Sequence, residues 1–289
     1  MSAIYFKEMK NYFRTMTGYG FLGFFTLIMG YFFISQNIVV MNANYNETLS
    51  GALIMFLILI PILTMRSFSE ESAQKTDQLL YCAPVNVSDI VIGKFLAAAS
   101  LFLIGMLITG IFPAILYNLS EGRMDTGLTA VGCVGFVFLA FCFISVGIFI
   151  SSLTDNQLVA GAGTFAVIFM LLMMDNIASS APIGNTASLI FVSAIIILIA
   201  VYIHTSTKNI AVALLFAVTG TVIAGVLFLI RSNLYDGAIS GILGWFSVLA
   251  RFENFYLGSV NVSDVIYYIT FCTLFIYLTV GTIEKRRWS

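Results

Sequence analysis

The sequence predicts an all-α polytopic membrane protein, and three observations carry that prediction. Hydrophobic residues make up 60% of the chain and charged residues 9%, the mean hydropathy is +1.01, and the apolar residues fall into solid runs. A soluble domain holds about a quarter charged residues, and a hydrocarbon core needs roughly 20 apolar residues per helix. A transmembrane barrel would instead alternate polar and apolar positions along short strands.

Eight runs have approximately the required length: Tyr19 to Val40, Leu49 to Met65, Ile90 to Tyr117, Leu128 to Leu153, Gln157 to Met174, Ala187 to His204, Ile210 to Ile230, and Val265 to Ile283. The alternative count is six, with Ala187 to Ile230 as a hairpin added to a six-helix core. Ahead of the first run, Ile4 or Tyr5, Met9, Tyr12 or Phe13, and Met16 share one helical face, with Lys7, Lys10 and Arg14 opposite. Residues 1–18 therefore read as an interfacial helix, or alternatively as a charged flank. No cleaved signal is expected, because charges and aromatics stand where a signal would have its apolar region.

Positive residues near span ends are retained in the cytoplasm. Both termini inside puts Lys7, Lys10, Arg14, Arg66, Lys75, Lys94, Lys208, Lys285, Arg286 and Arg287 on that side, and Arg123, Arg231 and Arg251 outside.

The most informative stretch is the polar insertion at residues 66–89, between the second and third runs. Arg66, Glu70, Glu71, Lys75, Asp77 and Asp89 would each cost roughly 2.5 to 3.5 kcal/mol at the bilayer centre, so the insertion lies outside the bilayer. Ser67 and Glu70 have the spacing of a capping box, and Glu71 precedes Lys75 at helical pair spacing. Leu79, Leu80 and Tyr81 add an apolar edge before Pro84 ends the element. Ser88 with Asp89 is expected to cap the third span. Such a helix is either a solvated loop or an element offered to the groove of a soluble partner, and its length favours the second.

A second polar corner, Ser151 to Gln157, joins the fourth and fifth spans. On the other side, residues 231–264 read as an extracellular or re-entrant segment with Trp245, Phe252, Phe255 and Tyr256 at headgroup depth. Within it Val260-Asn-Val-Ser-Asp264 echoes Val85-Asn-Val-Ser-Asp89, the same helix start used twice.

Other function classes find little support. An ion-coupled transporter needs carboxylates or broken helices at the midplane, whereas the acidic residues stand at or beyond span ends, Asp155 and Asp175 in or beside loops. An intramembrane enzyme needs a catalytic constellation at depth. His204, at a span end, reads as an interfacial anchor, so no catalytic residue and no metal ligand is assigned. Cys82, Cys133, Cys142 and Cys272 lack metal-type spacing and read as packing residues. No nucleotide-cradling Gly-x-x-x-x-Gly-Lys-Ser/Thr loop occurs.

Met65-Arg-Ser-Phe-Ser-Glu-Glu, Thr76-Asp-Gln-Leu-Leu, Ala83-Pro-Val and Ile92-Gly-Lys94 together resemble the cytoplasmic signature of ABC-2 type transporter permeases, in particular the gliding-motility-type branch. Leu153-Thr-Asp-Asn-Gln157 resembles that branch's second corner. Arg251-Phe-Glu-Asn-Phe255, Asp264-Val-Ile-Tyr-Tyr268 and Glu284-Lys-Arg-Arg-Trp288 resemble its C-terminal segment. Relatives commonly carry Gly where this chain has Lys75, so a turn there is expected to become continued helix here. The resemblance implies a type V exporter-like transmembrane domain in a bacterial cytoplasmic membrane. It implies two permeases, identical or paralogous, with two copies of a separate ATPase that binds ATP and Mg. Arg66, Glu70, Glu71, Asp77, Leu79, Leu80, Pro84, Asp155 and Asn156 would form the docking surface. ATPase closure would then move the helix around Glu70 to Leu80 and tilt the flanking spans. The cargo leans toward a lipidic or peptide-like molecule. The alternative is a mechanical anchor acting on an extracytoplasmic partner; no nucleic-acid partner is expected.

Overall fold

The computed structural model describes residues 1–75, 86–180, 184, 188–194, 196–197, 200–201, 210–230 and 237–288. Contacts divide the chain into two units, Met1–Met170 with Arg251–Ser289, and Leu171–Ala250. Among the described residues every regular element is helical.

In the first unit α1 (Ser2–Arg14) and α2 (Met16–Phe33) are separated by extended Thr15. Gly18 lets them meet closely, since a Cβ there would lie 2.5 Å from the Tyr12 carbonyl oxygen. A π turn, Ile34–Ile38, ends the first span. The second comprises α3 (Asn46–Gly51), a 3-10 turn at Ala52–Met55 and α4 (Phe56–Thr64), followed by the short α5 (Ser69–Ala73). The third comprises α6 (Val87–Thr109) and α7 (Ile111–Leu119). They part at Gly110 because Pro113 has no N–H to offer the Thr109 carbonyl. Then follow α8 (Thr126–Leu153), α9 (Gln157–Ser180) and, at the end of the chain, α13 (Val262–Trp288).

In the second unit α10 (Ile210–Ile230) is a 21-residue apolar helix. Its Gly220 lies against Ile196, a Cβ there falling 2.7 Å from the Ile196 Cγ2. α11 (Ala238–Phe246) starts after left-handed Gly237; α12 (Val248–Tyr256) begins in this unit and belongs to the first from Arg251 onward.

Six helical runs among the described residues are long and apolar enough to cross a membrane: Met16–Ile38, Asn46–Ala73, Val87–Leu119, Thr126–Leu153, Gln157–Ser180 and Val262–Arg286. They correspond to the first five and the last of the expected spans. The expected seventh coincides with α10, and the expected sixth is described only in part.

Helices in lipid associate through close packing, because the tails are as apolar as the side chains. The centre of the first unit is accordingly aromatic. Phe56 packs on Phe136, Phe143 and Phe102, with ring centroids 4.8, 5.6 and 5.9 Å away, and Phe25 meets Phe102 edge-on at 5.4 Å. Small residues let α8 reach its neighbours: a Cβ at Gly147 would fall 2.2 Å from Thr64 Oγ1, and one at Gly135 2.4 Å from Phe255 Cβ. Phe252 and Phe255 are buried in this core, while Trp245 is exposed.

Two expectations are corrected. Asp175 is helical, inside α9 and one turn before its end. The third span is opened by Asn86, not Ser88: the Asn86 carbonyl accepts from Asp89 N at 3.1 Å and Ile90 N at 3.4 Å. The sequence echo does reflect one geometry used twice, since Asn261 accepts from Asp264 N at 3.0 Å and Val265 N at 3.4 Å.

Candidate functional site

The end of the first unit that carries both termini of the chain, here called the terminal face, gathers the polar segments singled out from the sequence. Its centre is Lys94, only 3% exposed. A buried ammonium needs a full set of acceptors, and three segments supply them. Glu8 of α1 lies 3.1 Å from Nζ, Glu71 of α5 lies 3.0 Å away, and the Ser67 carbonyl accepts at 2.7 Å. The Phe68 ring completes the shell, its centroid 5.0 Å from Nζ. Glu71 is shared with Lys7 of α1 at 3.2 Å. Close by, Gly93 faces Ile4, which brings α1 near enough to α6 for Glu8 to reach Lys94.

A second set of bonds ties α5 to the other corner. The Ser151 hydroxyl, at the end of α8, accepts from Phe68 N at 3.0 Å and Ser69 N at 3.2 Å. It therefore satisfies the free donors at the start of α5, a task the sequence reading assigned to Ser67 and Glu70. That capping box does not form; the helix begins at Ser69 and its cap comes from a residue 83 positions away. From α13, Arg286 Nη1 donates to Ser72 Oγ and to Asp155 Oδ1, both at 2.9 Å.

The helix also ends earlier than expected. Lys75 adopts φ 54°, the left-handed region, and Glu71 turns to Lys94 and Lys7 instead of pairing with Lys75 along the helix. The chain therefore turns at Lys75 where continued helix was expected, at the conformational cost of a side chain where glycine fits freely.

The predicted docking residues fall into distinct settings. Glu71 belongs to the Lys94 cluster. Arg66 is exposed and Glu70 half-buried, and among the described residues neither side chain has a hydrogen bond or ion pair. Both line a cleft of about 90 Å³ with Asn11, Tyr12, Thr15 and Thr17. Asp155 is exposed and held by Arg286. Asn156 caps α9, its Oδ1 accepting from Leu158 N at 2.9 Å. Asp77, Leu79, Leu80 and Pro84, like Cys82 and His204, lie outside the described residues.

Sequence reasoning used Lys7, Lys94 and Arg286 as markers of sidedness, and the last two as parts of matched motifs; it placed Ser151 in the second corner without a partner and gave Glu8 no role. One signal was present: Glu8 stands between Ile4 and Tyr12 at four-residue spacing, an acid on the inner face of an amphipathic helix.

The opposite face is held by a separate polar lattice. Asn46 Nδ2 donates to the Tyr256 and Leu128 carbonyls at 2.8 and 3.1 Å. Arg251 and Asn254 converge on Asp264 at 2.9 and 2.8 Å. The Tyr256 hydroxyl donates to Glu47 at 2.6 Å, and that bond, ahead of burial, pushes the phenol up to about 12.

Six bilayer-length helices among the described residues, with a bonded platform of polar segments on one face, define a multi-pass membrane protein. The chain belongs to the ABC-2 family transporter proteins, whose family model matches residues 2–189. It is thus a permease-type membrane protein of ABC transport. No curated protein matches the chain.

Proposed function

We propose that this chain is the membrane-spanning subunit of an ATP-driven transporter whose ATPase is a separate protein, docked on the terminal face, with that face in the cytoplasm. The observation that supports this reading best is the pair of bonds from Arg286 to Ser72 and Asp155. They hold the two polar corners, distant in sequence, side by side as one platform. Residues 66–89 supply the main docking element, with Arg66 and Glu70 left free for charges on the ATPase. Lys94 links that element to α1 and α6, so that a displacement of α5 reaches the third span directly. ATP and Mg are carried by the partner, and two permeases, identical or paralogous, assemble with two ATPases. The cargo is an amphipathic molecule, lipidic or peptide-like.

Replacing Leu79 and Leu80 together with Asp tests the docking role. Co-purification with the ATPase and stimulation of ATP hydrolysis should both be lost, whereas unchanged assembly with unchanged stimulation refutes it.

The lattice on the opposite face favours a second reading, in which ATP hydrolysis moves an extracytoplasmic partner. Glu47 and Asp264, at the starts of the second and last spans, are both tied to α12. Movement of either span would therefore displace that helix.

A further inference from the structure

On the opposite face, away from α12, a cleft of about 480 Å³ opens between residues 37–43 and residues 116–123. Its volume falls within the range of small-molecule sites, about 300–1,000 Å³. Its position is set by the spans: Ile38 and Leu119, both in its wall, are the last residues of the first and third bilayer-length runs. The cleft therefore lies where two membrane-length helical runs end.

Its lining divides accordingly. Ile38, Leu119 and Met41 supply an apolar side, and Met41, Val39 and Val40 form an exposed apolar edge next to it. Glu121 and Arg123 supply the polar side, one charge of each sign. Among the described residues neither of these side chains has a hydrogen bond or ion pair. Met41 and Glu121 also hold φ values of 55° and 51°, two of the three left-handed positions occupied by residues other than glycine among those described. Each such residue costs about 1–2 kcal/mol, and positions of this kind cluster at ligand clamps.

We propose that this cleft binds the headgroup of a zwitterionic phospholipid carrying a primary ammonium, of the phosphatidylethanolamine class. A guanidinium pairs with phosphate through charge-assisted hydrogen bonds, which assigns the phosphate to Arg123. Glu121 takes the ammonium, and the apolar side receives the start of the acyl chains. An anionic lipid without an ammonium would leave Glu121 unpaired and add a negative charge beside it. A water-soluble phosphate ester would leave the apolar side unfilled.

The test uses the purified full-length chain in neutral detergent, titrated separately with phosphatidylethanolamine, phosphatidylglycerol and soluble phosphoethanolamine. Adducts are counted by native mass spectrometry. Phosphatidylethanolamine should bind more tightly than phosphatidylglycerol by about threefold to fivefold, the worth of one partly exposed ion pair. Glu121→Gln should abolish that preference, and Arg123→Gln should weaken both lipids. Soluble phosphoethanolamine should not bind over the same concentrations. Equal binding of the two lipids by the unaltered chain overturns the assignment, as does lipid binding unaffected by either substitution. Phosphoethanolamine binding as tightly as the lipid would make this the site of a soluble ligand and likewise overturn it.

Discussion

Lys94 shows how far a single charge can organise a membrane protein. Its ammonium is enclosed by Glu8, Glu71 and the Ser67 carbonyl. Removing one partner from a buried ion cluster costs about 3–5 kcal/mol, because the charges left behind have neither water nor a counterion. Lys94→Met should therefore lower the thermal unfolding temperature sharply, followed by fluorescence-detected size exclusion in detergent. Adding Glu8→Gln should restore part of the loss, since Glu71 keeps Lys7. A Lys94→Met chain as stable as the parent would refute the enclosure. Apart from the spacing that puts Glu8 on the inner face of its helix, this was not legible along the sequence. Positive residues announce a side of the membrane, but the acids that meet Lys94 come from positions 8 and 71, and only folding brings them together. Lys75 was misjudged for a related reason: its side chain is compatible with helix, yet its backbone is left-handed and Glu71, expected to pair with it, is taken by Lys94 and Lys7.

Elements were read more successfully than contacts. A run of apolar residues long enough for a bilayer can be recognised without knowing its neighbours, and six such runs stand close to where they were expected. Helix starts were found to within a few residues. The repeated Asn-Val-Ser-Asp was recognised as a helix start, although Asn and not Ser stands at its first position, and there the backbone carbonyl makes the bonds. The breaks at Ile34–Ile38 and Ala52–Met55 were not foreseen, because short 3-10 and π turns can be built from the same residues as α-helix. Packing between elements depends on glycines whose roles differ although they look alike in sequence. A Cβ at Gly147 meets Thr64 at 2.2 Å, whereas one at Gly23 meets nothing within 4 Å. Gly147→Ala should destabilise by about 1–3 kcal/mol, the usual cost of overpacking. Gly23→Ala should be neutral or slightly stabilising, as alanine is the better helix former. Thermal unfolding of the two variants side by side checks the pair, and equal effects would contradict the assigned packing.

At the scale of the whole molecule, the last helix returns to the face where the chain began and touches both polar corners through Arg286. Asp155 is two-thirds exposed, so this pair adds little to stability, about 1 kcal/mol or less. Its removal should act on coupling. Arg286→Ala should leave the unfolding temperature within a few degrees of the parent, while stimulation of the partner ATPase falls roughly twofold to thirtyfold, as a coupling energy of about 0.5–2 kcal/mol implies. Unaltered stimulation would separate the last helix from the coupling pathway. The family resemblance pointed to residues 66–89 and 151–157 as parts of one docking surface, whereas nothing in the sequence pointed to the residue that clasps Ser72 and Asp155 together. An arginine near a C-terminus has many uses, and its target was visible only in three dimensions.

The 3-10 turn at Ala52–Met55 gives the second span the mechanics of a jointed shaft. One piece, α3, is pinned by Asn46 and Glu47 to α12, and α4 leads through the turn at residues 65–68 to α5, whose Glu71 is pinned to Lys94. The span is thus anchored at both ends, with Pro61 inside α4 and the tighter, less well bonded 3-10 turn as the two interruptions of regular helix between the anchors, and a bend of the span would concentrate at these two joints.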